Sequence, residues 1–152
     1  MPGMNDESDS QRAPVGDRFG YLLKHARERL VSFSEPALAP LGITGRDVAV
    51  LTVLADGAPP SQLEAAQRLA IDRTSMVAAI DRLEDLGLVQ RRADTADRRR
   101  NIVVLTDLGA ETLRQATRAT DDAEALFLEP LAPAERKRFR EMLQQLVDRR
   151  DA

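Results

Sequence analysis

The chain has 152 residues, a formal net charge of −3, one histidine and no cysteine. Disulfides, thiolate metal sites and thiol switches are excluded, and His25 alone cannot supply a zinc site built from several His or Cys ligands. No apolar run approaches the ~20 residues that span a bilayer, and the N-terminus lacks the basic-then-apolar plan of a signal peptide, so the expected location is cytoplasmic, with no membrane partner. The length suits one domain, or a compact domain with appended helices. With only 3% aromatic residues and no Trp, the core must be built from Leu, Ala, Val and Ile, which suits helices packed on helices.

Residues 1–14 are polar and aperiodic and are expected to form a disordered tail; residues 15–152 are expected to form a single domain. From Val15 to about Phe33, apolar residues at Phe19, Leu22, Leu23, Ala26, Leu30 and Phe33 make a helical stripe, which Ser34-Glu35-Pro36 and Pro40 are expected to break. Thr44 and Asp47 form a capping pair for a second helix carrying Val48, Leu51, Val53 and Leu54, ended by Asp56-Gly57 and Pro59-Pro60. Ser61-x-x-Glu64 is a capping box for a short third helix whose inner face is expected to be Leu63, Ala66, Leu69 and Ala70. Asp72 caps a fourth helix with Met76, Val77, Ile80, Leu83 and Leu86 in register, and Gly87 is a natural residue to close it. Leu88–Arg92 and the β-branched run Asn101–Leu105 suit paired strands around a polar loop, Ala93–Arg100. Thr106 can cap a fifth helix that runs to about Leu128, where Glu129-Pro130 stops it. Pro133 suits the first turn of a last helix with Phe139, Met142, Leu143, Leu146 and Val147 on one face.

Two features point to double-stranded DNA. Ser61–Leu86 reads as helix, short turn, helix, and in a helix-turn-helix the N-terminal residues of the second helix meet base edges in the major groove. Here those are Arg73, Thr74, Ser75 and Ala78; an ordinary helical hairpin with solvated polar positions has the same pattern. Directly after it comes a hairpin with five arginines between 91 and 100 (91, 92, 98, 99 and 100) against two aspartates, 94 and 97. Arginines at a loop tip suit the narrow, electronegative minor groove. A solvated charged turn is the alternative for an isolated cluster, but this one sits where a wing must sit. The acidic excess lies elsewhere, which confines attraction for phosphate to one surface.

The run Asp72–Val89 resembles the recognition helix and strand entry of the multiple antibiotic resistance regulator (MarR) family. Asp97-Arg98-Arg99, followed by Leu105-Thr106-x-x-Gly109, resembles that family's wing signature; Leu41-Gly-Ile-Thr44 and Leu131-Ala-Pro-Ala-Glu135 are similar to its entries to the second and last helices. The resemblance implies that Arg99 enters the minor groove, with Arg98 beside it on phosphate or groove and Asp97 holding that arginine. It implies that Arg73, Thr74 and Ser75 meet the major groove, that Ser61 and Gln62 touch phosphates, and that Arg82 lies near phosphate or in a salt bridge. Val77 and Ala78 depart from the polar residue and arginine that many members carry. That shifts weight to the wing, to thymine methyl groups and to DNA shape. Ala132 stands where Ser or Thr usually caps the last helix.

The expected fold is therefore mostly α with a small β-hairpin wing. A winged helix-turn-helix lobe at about 42–106 is joined by a helical dimerisation lobe at about 15–35 and 107–150. The apolar faces of the first, fifth and sixth helices are too extensive for a small winged domain to cover, and the resemblance independently implies a homodimer and a pseudo-palindromic site with half-sites about one helical turn apart. It also implies a small anionic or phenolic ligand between the lobes. Tyr21, His25 and Arg29, at i, i+4 and i+8, can line such a pocket or simply pack and be solvated. No phosphate-binding glycine loop, activated nucleophile or metal cluster is evident, so neither an enzyme nor a cofactor is expected. The function implied is a DNA-binding transcriptional repressor released by a ligand; the alternative is a winged-helix protein-interaction module.

Overall fold

The computed structural model describes residues 14–148. The expected disordered tail, apart from Pro14, lies outside the described residues, as do residues 149–152. The eight elements run α1 (Phe19–Leu38), α2 (Gly45–Ala55), α3 (Gln62–Leu69), α4 (Arg73–Asp85), β1 (Val89–Ala93), β2 (Asn101–Leu105), α5 (Asp107–Phe127) and α6 (Pro133–Asp148). This is the expected order: a mostly helical chain with one antiparallel hairpin. Among the described residues no single helix is long and apolar enough to cross a membrane.

Side-chain chemistry sets most of the boundaries. Thr44 and Asp47 form a full capping box on α2, and Ser61 and Glu64 form one on α3. Each satisfies two backbone donors that a bare helix end leaves open. Asp72 caps α4 and Thr106 caps α5. α4 closes with a Schellman pair: the Leu88 amide donates to the Leu83 carbonyl at 2.9 Å and the Gly87 amide to Glu84 at 2.9 Å. Gly87 takes the left-handed φ of 74° that this closure requires. At α6 the missing Ser or Thr cap is partly replaced, because the Ala132 amide donates to Glu135 at 2.7 Å.

Three expectations are corrected. The first helix begins at Phe19, after a 3₁₀ turn at Val15–Asp17, and it does not break at Pro36: it runs on to Leu38. Proline there removes one backbone bond and costs about 3 kcal/mol. The final turn nevertheless places Leu38 in the core at 1% exposure, and the Ala39 amide still closes on Glu35. On α3 the inward residues are Ala65 and Ala66, with Leu69 against them, while Leu63 falls beside that stripe and is exposed. On α4 Met76, Ile80 and Leu83 are buried, but Leu86, in the closing turn, is exposed.

The core gathers Val50, Leu51 and Leu54 of α2, Ala65 and Ala66 of α3, Met76, Ile80 and Leu83 of α4, Val89 and Val103 of the hairpin and Ala116 of α5. The hairpin register pairs Val89 with Leu105 and Arg91 with Val103, and the Val103 amide donates to the Pro60 carbonyl at 2.9 Å, anchoring the wing to the entry of α3. α5 meets the root of the wing almost backbone to backbone. The Thr106 hydroxyl donates to Gly87 O at 2.6 Å and accepts the Gly109 amide at 3.0 Å. A Cβ on Gly109 would stand 1.9 Å from the Leu88 carbonyl oxygen. The spacing Thr106-x-x-Gly109 is therefore a packing requirement. α6 buries none of its residues, and Phe19, Leu22, Leu23, Leu126, Met142, Leu146 and Val147 stand exposed on α1, α5 and α6.

Two stability outcomes follow. Gly109→Ala forces α5 off the wing root and should lower stability by about 1–3 kcal/mol, the usual range for overpacking, read from the denaturant midpoint; an unchanged midpoint would refute the contact. Ala70, at φ 51°, is the one non-glycine residue with a left-handed backbone among the described residues. Ala70→Gly should therefore raise stability by up to about 1 kcal/mol, read as a higher denaturant midpoint; a lower midpoint would refute the strain.

Candidate nucleic-acid interface

The turn between α3 and α4 is closed by hydrogen bonds from Ala70 N to Gln67 O and from Ile71 N to Ala66 O, and it leaves the N-terminal end of α4 exposed. Arg73 and Thr74 are exposed there, and Ala78 follows Thr74 one turn on. Ser75 is committed differently. Its hydroxyl donates to Asp72 Oδ2 at 2.6 Å and its amide to Oδ1 at 2.8 Å, leaving the hydroxyl only its acceptor capacity. These bonds, the hydroxyl's first, hold the Asp72 carboxyl below the ordinary range, so the cap stays charged until the pH falls below that range.

The wing loop is built by its two aspartates. Asp94 Oδ1 accepts the Ala96 amide at 2.9 Å and Asp97 Oδ1 the Arg99 amide at 3.0 Å. The Asp94 amide donates to Arg100 O, and the Arg100 amide to Asp97 O. Asp97 thus holds Arg99 through its backbone. The expected pairing with an arginine side chain is absent among the described residues, which leaves that guanidinium uncommitted.

The arginines divide by role. Arg91 lies under the hairpin, where its guanidinium bonds Asp81 and Glu84 of α4 and donates to Gln62 Oε1 from Nε at 3.1 Å and Nη2 at 2.9 Å. Burial works against its charge, but Asp81 and Glu84 outweigh it and raise its pKa. Arg100 pairs with Glu64 of α3 and lies 3.7 Å from Asp94. The Glu64 carboxyl is lowered, first by the Ser61 amide and then by Arg100. Arg98 and Arg99 are exposed and make no ion pair among the described residues. Arg91 and Arg100 therefore brace the wing against α3 and α4, while Arg92, Arg98 and Arg99 are exposed without an ion pair among the described residues.

The other expected site residues fall in several places. The Ser61 hydroxyl accepts the Glu64 amide at 3.2 Å, and the Gln62 carboxamide is engaged by Arg91, so both are tied into the scaffold at the interface edge. Arg82, itself exposed, pairs with Asp47, which is 4% exposed, and donates to the Gly42 carbonyl at 3.2 Å. Of its two expected placements, this is the salt bridge. Tyr21, His25 and Arg29 lie together on α1, away from the wing. The Tyr21 and His25 rings are 4.1 Å apart, His25 Nδ1 is 3.0 Å from Glu28, and Arg29 lies 5.5 Å over Phe33. None of the three lines either of the two cavities described here. One, of about 460 Å³, lies where α2, β2 and α5 meet and is lined by Leu105, Leu113, Arg114, Thr117 and Arg118. The other, of about 300 Å³, is apolar and lies between α1, α5 and α6. Among the described residues no cluster of three or more His, Asp or Glu is placed to hold a metal ion.

Sequence reasoning missed the bracing set of Arg91, Arg100, Glu64, Asp81 and Glu84. For Arg91 a signal was present: strand alternation puts it on the same face as buried Val89 and opposite Val103, hence inward.

Comparison with known proteins agrees with this geometry. The model of the MarR family matches residues 41–100, from the entry of α2 to the end of the wing loop. The HTH-type transcriptional repressor NicR of Pseudomonas putida is 28% identical over 140 residues, spanning 92% of this chain and 89% of NicR. Among solved structures, the transcriptional repressor CouR bound to a 23-mer DNA duplex is 32% identical with a TM-score of 0.80, covering 87% of this chain and 94% of CouR. BpsR of Bordetella bronchiseptica, whose DNA binding is regulated by 6-hydroxynicotinic acid, is 26% identical with a TM-score of 0.79, over 90% and 98% of the two chains. The chain belongs to the MarR family of transcriptional regulators.

Proposed function

We propose that this protein is a cytoplasmic homodimeric repressor that binds a pseudo-palindromic DNA site and is released by a small anionic or phenolic ligand. It is a binding protein and not an enzyme. The observation that carries the reading is the division of the wing arginines: Arg91 and Arg100 are braced against α4 and α3, which leaves Arg98 and Arg99 exposed and unpaired among the described residues, as Arg73 and Thr74 are exposed at the start of α4. In this arrangement α4 enters the major groove, Arg99 the flanking minor groove, and Arg98 the phosphate edge. The α3 N-terminus, with Ser61 and Gln62, meets the backbone, where a helix end favours an anion. Arg82 positions α4 from behind.

The dimer follows from uncovered surface. Phe19 and Leu146 are 82% and 72% exposed, and a second copy of α1, α5 and α6 is the partner whose matching faces would bury them. A ligand in the cleft at α5 meets an apolar floor and the Thr117, Arg114 and Arg118 side chains, which suits an aromatic or acyl group bearing a carboxylate or phenolate. Release requires that the ligand bind better to a dimer whose lobes are wrongly spaced for adjacent grooves, since only differential affinity shifts such an equilibrium.

In gel shifts with a duplex selected by the wild-type protein, Arg99→Ala should weaken binding about 10–100-fold, the worth of one specific groove contact, while sedimentation shows an intact dimer. Unchanged affinity would refute the role. Leu146→Glu should give the mass of a single chain and abolish binding to a two-half-site duplex; a dimer of normal mass would refute the assigned interface.

A further inference from the structure

The outward face of α4 carries little polar reading capacity of its own. Its exposed N-terminal stretch presents Arg73, Thr74, Val77 and Ala78 as two stacked i, i+4 pairs. The Ser75 hydroxyl has given its proton to Asp72 and can only accept. One turn further, Asp81 is held by Arg91, and Arg82 is held by Asp47 and the Gly42 carbonyl. Ala78 is exposed, and Val77 is half-buried yet outside the apolar core. Burying these two methyl-bearing side chains against a base edge is favourable only where that edge is itself apolar, and the C5-methyl of thymine is the one such group in the major groove.

We infer that Val77 and Ala78 are specificity-determining residues that read thymine methyl groups in each half-site, with Arg73 and Thr74 supplying the polar contacts beside them. The inference rests on the proposed function, because it needs α4 in the major groove. Family membership does not dictate it, since Val77 and Ala78 are where this chain departs from the more polar pattern. A methyl contact is also indifferent to strand polarity and salt, so it adds selectivity without adding charge to a protein of net charge −3.

The test uses the full chain and a duplex enriched by the protein from a randomised pool. Each thymine is replaced in turn by uracil, which keeps every hydrogen-bonding group and removes only the methyl. At one or two thymines per half-site the substitution should weaken binding about fourfold, the worth of one buried methyl-sized group. Thymine elsewhere should be indifferent. Val77→Ser and Ala78→Gly remove these methyl groups, with a helix cost of about 1 kcal/mol for the glycine, and as a pair should erase the thymine-over-uracil preference at those positions while a control duplex altered at the Arg73 contact still loses affinity. A protein that enriches a site but binds the uracil form equally well at every position overturns the methyl reading and leaves the proposed function standing. A protein that enriches no sequence overturns both.

Discussion

One guanidinium ties the recognition helix to the wing. Arg91 lies beneath the hairpin against Asp81 and Glu84 of α4 and Gln62 of α3, so three elements share one planar group with little freedom to shift independently. Removing it would leave two carboxylates facing each other at the helix–strand junction, where like charges repel. Arg100 repeats the arrangement at the far end of the hairpin, joining Glu64 of the α3 capping box to Asp94 of the wing loop. With these two committed, the charge left for a partner is that of the exposed arginines.

The same economy appears at smaller scale. Glu64 caps α3 and pairs with Arg100; Asp47 caps α2 and pairs with Arg82; Thr106 caps α5 and donates to the Gly87 carbonyl at the end of α4. Each capping side chain also fixes how its helix sits against a neighbour. Exposed ion pairs taken singly contribute little to stability, so the value of this set lies in geometry, fixing α2, α3, α4 and the hairpin relative to one another. α1, α5 and α6 are the contrasting half. Leu38 of α1 and Ala116 of α5 join the core, but Phe19, Leu22, Leu23, Leu126, Met142, Leu146 and Val147 are left exposed.

Element order and caps were legible in the sequence because each is local. Thr44, Ser61, Asp72 and Thr106 announce helix starts through their own hydrogen bonds, Gly87 an ending through its backbone freedom, and Asn101–Leu105 a strand through β-branching. Pro36 misled because a proline counts against a helix locally, whereas Leu38, two residues on, gains its burial from partners distant in sequence. The interface was legible in outline, since a basic cluster after a recognition helix is a pattern in one dimension. Which arginines face outward was not, because Arg91 and Arg100 are claimed by Gln62, Glu64, Asp81 and Glu84, residues 7 to 36 positions away. Which of its two placements Arg82 takes was hidden for the same reason: Asp47 lies 35 residues before it.

The most direct test of this division of labour is the salt dependence of DNA affinity for Arg91→Met beside Arg98→Ala. A side chain on phosphate releases counterions when it binds, and its loss flattens the plot of log affinity against log salt by about 0.9 per contact. The account predicts that Arg98→Ala flattens the plot, whereas Arg91→Met weakens binding at every salt concentration and leaves the slope as it was. Equal flattening by both substitutions would mean that Arg91 binds DNA itself, and the braced wing would have to be abandoned.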